Sequence, residues 1–105
     1  MSEFIKEILE SNFDKETSQG AVLVDFFADW CGPCRQLTPI LEQVAKEVRE
    51  VNFFKINIDA AQEVAARLAI TSIPTLVLFH KGKEIDRVVG LIEAGDLKAL
   101  LEKAK

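Results

Sequence analysis

Apolar positions along the 105-residue chain fall into blocks with two different periods. Ala21-Val-Leu-Val-Asp-Phe-Phe-Ala28 is β-branched and aromatic, with apolar residues at both parities. That is the pattern of a strand covered on both faces. From Cys31 to Glu50 the period turns helical, and Leu37, Ile40, Leu41, Val44, Ala45 and Val48 share one stripe. Pro39 lies inside that stripe. It lacks a donor and crowds the carbonyl of Arg35, so a kink is predicted there. Val51-Asn-Phe-Phe-Lys-Ile-Asn-Ile58 reads as a second buried strand, after which Asp59 is predicted to cap a short helix over 60–69. Strand, long helix, strand makes a βαβ unit, which the right-handed crossover rule renders parallel.

Beyond Ile70-Thr-Ser-Ile-Pro74 the character changes. Thr75 to His80 and Lys83 to Val89 read as two strands around Lys81-Gly82, an antiparallel hairpin closed by Gly90. Leu97, Leu100 and Leu101 mark one face of a last helix. The N-terminal stretch is ambiguous. Phe4, Ile5, Ile8 and Leu9 fit a helical stripe, while Ser11 to Asp14 has the form of a capping box that opens a different helix. The sum is an α/β fold, a mixed sheet flanked by helices.

Length and composition narrow the function. One domain over residues 1–105 is expected, since a chain of this size supports a single core. Thirteen basic residues against seventeen acidic ones give a net charge of −4, which argues against nucleic acid or an anionic membrane as partner. The unbroken apolar runs are strand-sized, far short of a bilayer span. Met1 to Glu7 holds no continuous apolar segment of the kind that opens a secretory signal, so a cytoplasmic protein is expected.

The only two cysteines sit in Trp30-Cys31-Gly32-Pro33-Cys34, and their position matters more than their number. A structural staple works by closing a long loop; closing these few residues contributes only about 2 kcal/mol in the chain-entropy account. In a reducing compartment such a pair is usually redox-active or metal-binding. With two cysteines and the single distant His80, a four-ligand zinc site is not supported, and no metal is expected. Between a strand and a helix, Cys31 lies near unpaired backbone N–H groups and the positive helix end, which favour thiolate over thiol. Cys34, one turn further in, is expected to be the less exposed. Pro33 falls early in the helix, where its missing N–H costs little. The chemistry that follows is exchange: Cys31 attacks a substrate disulfide and Cys34 resolves the mixed disulfide.

At these residues the chain resembles the thioredoxin family. Trp-Cys-Gly-Pro-Cys is similar to that family's active-site motif. Ala21 to Trp30, Pro39 in the helix, Ser72-Ile-Pro-Thr75, Gly82 and Gly90 recur in family order and spacing. The resemblance implies a thioredoxin fold, a central mixed five-stranded sheet flanked by about four helices, with Pro39 a structural position. It also implies a strand at about 4–9 and a helix from about 12, against the helical periodicity of that stretch. Departures are small. Phe27 stands where many members have a second Trp, Arg35 where many have Lys, and Thr71-Ser72 where some carry a basic residue and Gly.

Several neighbours of the motif carry two readings. Asp25 interrupts an apolar strand; buried without a cation it would accept a proton from the resolving thiol, whereas at a sheet edge it would face water. The resemblance places it beneath Cys34. Lys55 matches the family lysine that approaches this Asp, and by sequence it reads nearly as well as a surface lysine on a strand. Pro74 follows β-branched Ile73, where trans is the ordinary state; the resemblance implies cis, facing the cysteines. Trp30, Gly32, Pro33, Ile73, Pro74, Gly90 and Leu91 would then form a flat, partly apolar docking face, although Leu91 could equally pack inward. The function implied is a monomeric cytosolic protein-disulfide reductase. It would need no cofactor beyond the Cys31–Cys34 disulfide, with thioredoxin reductase and disulfide-containing proteins as partners. An oxidant or isomerase is the rival within the same chemistry, and an accessory binding module the rival outside it.

Overall fold

The computed structural model describes residues 3–105. Five strands and four α-helices follow in chain order: β1 Ile5–Glu7, α1 Phe13–Thr17, β2 Ala21–Phe27, α2 Gly32–Glu47, β3 Asn52–Asn57, α3 Gln62–Arg67, β4 Thr75–His80, β5 Lys83–Val89 and α4 Ala94–Glu102. They form one sheet in the order β1-β3-β2-β4-β5. β1 and β2 both run parallel to β3, while β4 is antiparallel to β2 and to β5. The mixed sheet read from the sequence is therefore present with the βαβ unit parallel, and it has the five strands that the family resemblance implies.

Strand parity splits the core in two. Leu23 of β2 joins Leu37, Leu41 and Val44 of α2 and Leu97, Leu100 and Leu101 of α4 on one side of the sheet. Val22, Val24 and Phe26 join Phe13 of α1 and Val64 of α3 on the other. Asp25 shares the parity of Leu23, so it projects toward the α2 side. The β4–β5 hairpin turns on two residues of positive φ, Lys81 at 52° and Gly82 at 85°, as a two-residue loop with the twist of its strands requires.

At the N-terminus and at the start of α3 the structure departs from the local expectations. β1 is confined to 5–7 and is followed by a 3-10 turn at Glu10–Asn12, so the N-terminal stretch is strand despite its helical spacing. Pairing with β3 outweighs that period. The capping box predicted at Ser11 to Asp14 does not open α1: its N-cap Asn12 makes no side-chain capping bond, and Asn12 Oδ1 instead accepts from the Leu9 N–H at 2.9 Å, at the start of the preceding 3-10 turn. Helix α2 runs through Pro39 as one element. Pro39 is exposed on this helix. The helix predicted over 60–69 divides into a 3-10 turn at Ile58–Ala60 and α3, and Asp59 does not cap α3. That task falls to Glu10, whose Oε2 accepts from the Val64 N–H at 2.8 Å. A carboxylate from 54 positions away supplies what a local side chain was expected to.

Candidate active site

α2 begins where β2 ends, and this junction sets the cysteines. Cys31 is the N-cap of α2, in extended backbone conformation, with Pro33 in the first turn. Cys31 and Cys34 form a disulfide with Cα atoms 5.3 Å apart. The Cys34 N–H donates to Cys31 Sγ at 3.1 Å, so one of the otherwise unpaired amides of the first turn points at the first sulfur. The same amide and the helix dipole stabilise negative charge there once the bond is reduced. Both cysteines are 5% exposed, so the expected difference in exposure between them is absent from the oxidised protein. Ala28 and Ile73 pack against the pair.

Behind Cys34 lies a cavity of about 200 Å³ that Asp25, Phe27, Arg35, Thr38 and Lys55 help to line. Asp25 is buried, and its Oδ1 has no hydrogen-bond partner. Burial raises its carboxyl from the ordinary 3.8 to about 7, with the charge of Lys55 pulling the other way. Of the two readings of Asp25, the water-facing one is excluded. Lys55 pairs with Asp25 across β2 and β3 and is half-buried, so it is no free surface lysine. Its Nζ stands 5.4 Å from the centroid of the Phe27 ring, a cation–π contact at the cavity mouth.

Of the predicted docking residues, Ile73 packs against the cysteine pair. Trp30 is 67% exposed and Leu91 51%, so Leu91 does not pack inward. Pro33 is exposed, Gly32, Ile73 and Gly90 are half-buried, and Pro74 is buried. The Ile73–Pro74 bond is cis. Gly90 has φ +98°, a conformation that favours glycine, and its N–H donates to the Pro74 carbonyl at 2.8 Å. The Ile73 N–H and C=O take no partner among the described residues. A groove beside them is lined by Trp30, Ile58, Ile70, Thr71, Ser72 and Ile73.

Two contributors, Asp59 and Arg35, were not read as site residues from the sequence. The Trp30 indole N–H donates to Asp59 Oδ2 at 3.0 Å, which fixes a large exposed ring at the groove edge. Arg35 Nη1 donates to the Asp29 carbonyl at 2.6 Å and ties the approach to Cys31 onto α2. Asp59 stands 29 positions from Trp30, and no short-range pattern links them.

A mixed sheet whose second strand delivers a close cysteine pair to a helix N-terminus defines a protein of dithiol–disulfide exchange. The family model for thioredoxin matches residues 4–103. The chain is 52% identical over 99 residues to a thioredoxin of Chlamydia pneumoniae, with 94% of this chain and 97% of that one covered. It is 36% identical over 100 residues to one from Staphylococcus aureus, covering 94% and 96% respectively. Among solved structures it superposes on Malassezia sympodialis thioredoxin with a TM-score of 0.87 at 31% identity, covering 95% of this chain and 92% of that one. For a mutant thioredoxin from Halobacterium salinarum the TM-score is 0.88 at 34% identity, covering 99% and 94%. The chain belongs to the thioredoxin family. It is accordingly a protein-disulfide oxidoreductase, of the kind that thioredoxin reductase re-reduces.

Proposed function

We propose that Cys31 is the attacking and Cys34 the resolving thiol of a single-domain, monomeric disulfide reductase acting in the cytoplasm. No helix among the described residues is long and apolar enough to cross a membrane, which is compatible with that location. The Cys31 thiolate attacks one sulfur of a substrate disulfide; a Cys31–substrate bond forms, and the second substrate sulfur leaves and takes up a proton. Cys34 then loses its proton and attacks Cys31 Sγ. The mixed disulfide breaks, the remaining substrate sulfur leaves as a thiol, and the Cys31–Cys34 bond forms. Two electrons pass to the substrate, and a separate reductase restores the dithiol. The reading rests above all on the Cys34 N–H directed at Cys31 Sγ, which distinguishes the first sulfur from the second.

Asp25 receives the Cys34 proton through the shared cavity, since a carboxyl near 7 is matched to that task at neutral pH. Lys55 tempers the pKa of Asp25. Substrate lies over Trp30, Gly32, Pro33, Gly90 and Leu91, and its extended backbone pairs with the unpartnered Ile73 main chain, which Pro74 presents. The direct test is reduction of insulin by dithiothreitol, followed as precipitation of the freed B chain. The protein should accelerate it well above dithiothreitol alone. No acceleration would overturn the reading.

The docking face has its own test. Leu91→Asp alters an exposed side chain, so stability should change by no more than about 0.5 kcal/mol. The KM for insulin should rise roughly 3- to 10-fold with little change toward a small aromatic disulfide. An unchanged KM would remove Leu91 from the face.

A further inference from the structure

The 70–73 loop that leaves α3 packs Ile73 against the disulfide, and the Gly90–Leu91 stretch that leaves β5 is tied to the adjoining Pro74 by the Gly90 N–H. Arg87, three residues before Gly90, joins the elements they come from. Its Nη2 donates to the Leu68 carbonyl at 2.9 Å, at the C-cap of α3. Glu84 holds the same guanidinium in a fork, Oε2 accepting from Nε at 2.6 Å and Oε1 from Nη2 at 2.7 Å. A forked, charge-assisted contact of this kind fixes direction as well as distance. Arg87 is only half-buried, and the reaction as described makes no use of it.

The turn it grips is a demanding one. The Ile70 N–H donates to the Ala65 carbonyl at 2.8 Å and the Ala69 N–H to the Ala66 carbonyl at 3.1 Å, the paired bonds of a Schellman ending. That motif puts its C′ residue in the left-handed region, where Gly is usual; here the residue is Ala69, with φ +56°. Ile70, the next residue, already lines the groove beside Trp30. A turn that its own C′ residue disfavours is thus stabilised from outside by a guanidinium anchored on the neighbouring edge strand.

We propose that Arg87, braced by Glu84, is a positioning residue that sets the preference for extended protein substrates by holding the 70–73 loop in register with Gly90–Leu91. This rests on the reading of Ile73 and its neighbours as the substrate edge. A small disulfide that needs only the sulfurs is indifferent to the register; a segment that must pair with Ile73 is not.

The test compares wild type, Arg87→Met, Arg87→Lys and the double variant Arg87→Met/Ala69→Gly on insulin and on a small aromatic disulfide. Arg87→Met should raise the KM for insulin about 3- to 10-fold at nearly constant kcat, with the rate on the small disulfide within about 2-fold of wild type. Arg87→Lys keeps the charge but loses the fork, and should fall between the two. Ala69→Gly lets the turn hold its shape unaided, so in the Arg87→Met background it should bring the KM back toward wild type. Circular dichroism reports whether each variant is folded. An unchanged KM, an equal loss on both substrates, or a raised KM that Ala69→Gly leaves unrepaired would overturn the proposal. If wild type itself reduces neither substrate, the exchange reading fails first, so the two failures are distinguishable.

Discussion

Replacing Cys31 by Ser is expected to bring insulin reduction down to the rate of dithiothreitol alone. A serine hydroxyl at the α2 N-cap still accepts the Cys34 amide, so the fold and the cap survive, but a hydroxyl is a poor nucleophile at neutral pH without an activating base. Cys34→Ser is expected to behave differently. Attack by Cys31 still proceeds, the second step has no thiol to perform it, and the substrate stays bonded to Cys31. Mass spectrometry of the quenched reaction should therefore find a covalent adduct with Cys34→Ser and none with Cys31→Ser. Steady-state turnover of Cys34→Ser should be close to background, with dithiothreitol alone releasing the adduct. If Cys31→Ser kept its turnover, or if the adduct formed in that variant instead, the assignment of attacking and resolving sulfurs would be wrong.

The second large effect is at Asp25. In the folded protein its carboxyl titrates near 7, against an ordinary value of 3.8. Between those two pH values the native state holds a proton that the unfolded chain has lost, so stability falls as pH rises through the window. Above 7 both states are ionised and the deficit is complete, at most roughly 4 kcal/mol. Asp25→Asn removes the charge and keeps the shape. Urea unfolding at pH 8 should show the variant more stable than wild type, and the gain should shrink steadily toward pH 4. The same change should slow resolution of the mixed disulfide roughly 10- to 100-fold while leaving its formation untouched, since only the second step needs Asp25. A stability gain independent of pH would show that the carboxyl titrates normally. Equal slowing of both steps would mean that the substitution had damaged the site as a whole.

How far the sequence carries can be seen residue by residue. Asp25 between Val24 and Phe26 announces a buried carboxylate, because an apolar strand leaves it little access to water. Its neighbourhood of Cys34, Lys55 and the cavity depends on which helix covers that face of β2, and this comes from the packing. The hairpin was legible because its turn chemistry is local: Lys81-Gly82 between two strand-like segments, Thr75–His80 and Lys83–Val89, admits few other geometries. The N-terminal strand was not legible from periodicity, since Phe4, Ile5, Ile8 and Leu9 have helical spacing; family resemblance identified it. Asp59 shows how a plausible local rule fails. An Asp before a helix is a sound cap in isolation, yet here its carboxylate accepts from the Trp30 indole and Glu10 satisfies the Val64 amide. Both partners arrive from elsewhere in the chain, and a neighbour-based rule has no access to them.

What the sequence alone determined are the features set by short-range sterics and by the period of burial. These are the strands with apolar residues on both faces, the amphipathic α2 and α4, the hairpin, and a cysteine pair one helical turn apart at a helix start. What the tertiary structure alone decided is which side chains meet. The strand order β1-β3-β2-β4-β5 lays Lys55 beside Asp25, and the packing around that sheet brings Asp59 to Trp30, Glu10 to Val64 and Arg87 to Leu68. In that order β1 and β2 have only β3 between them, although α1 separates them in sequence. Pairings of this kind form because the sheet buries both its faces at once, a condition on the whole chain that no window of neighbouring residues contains.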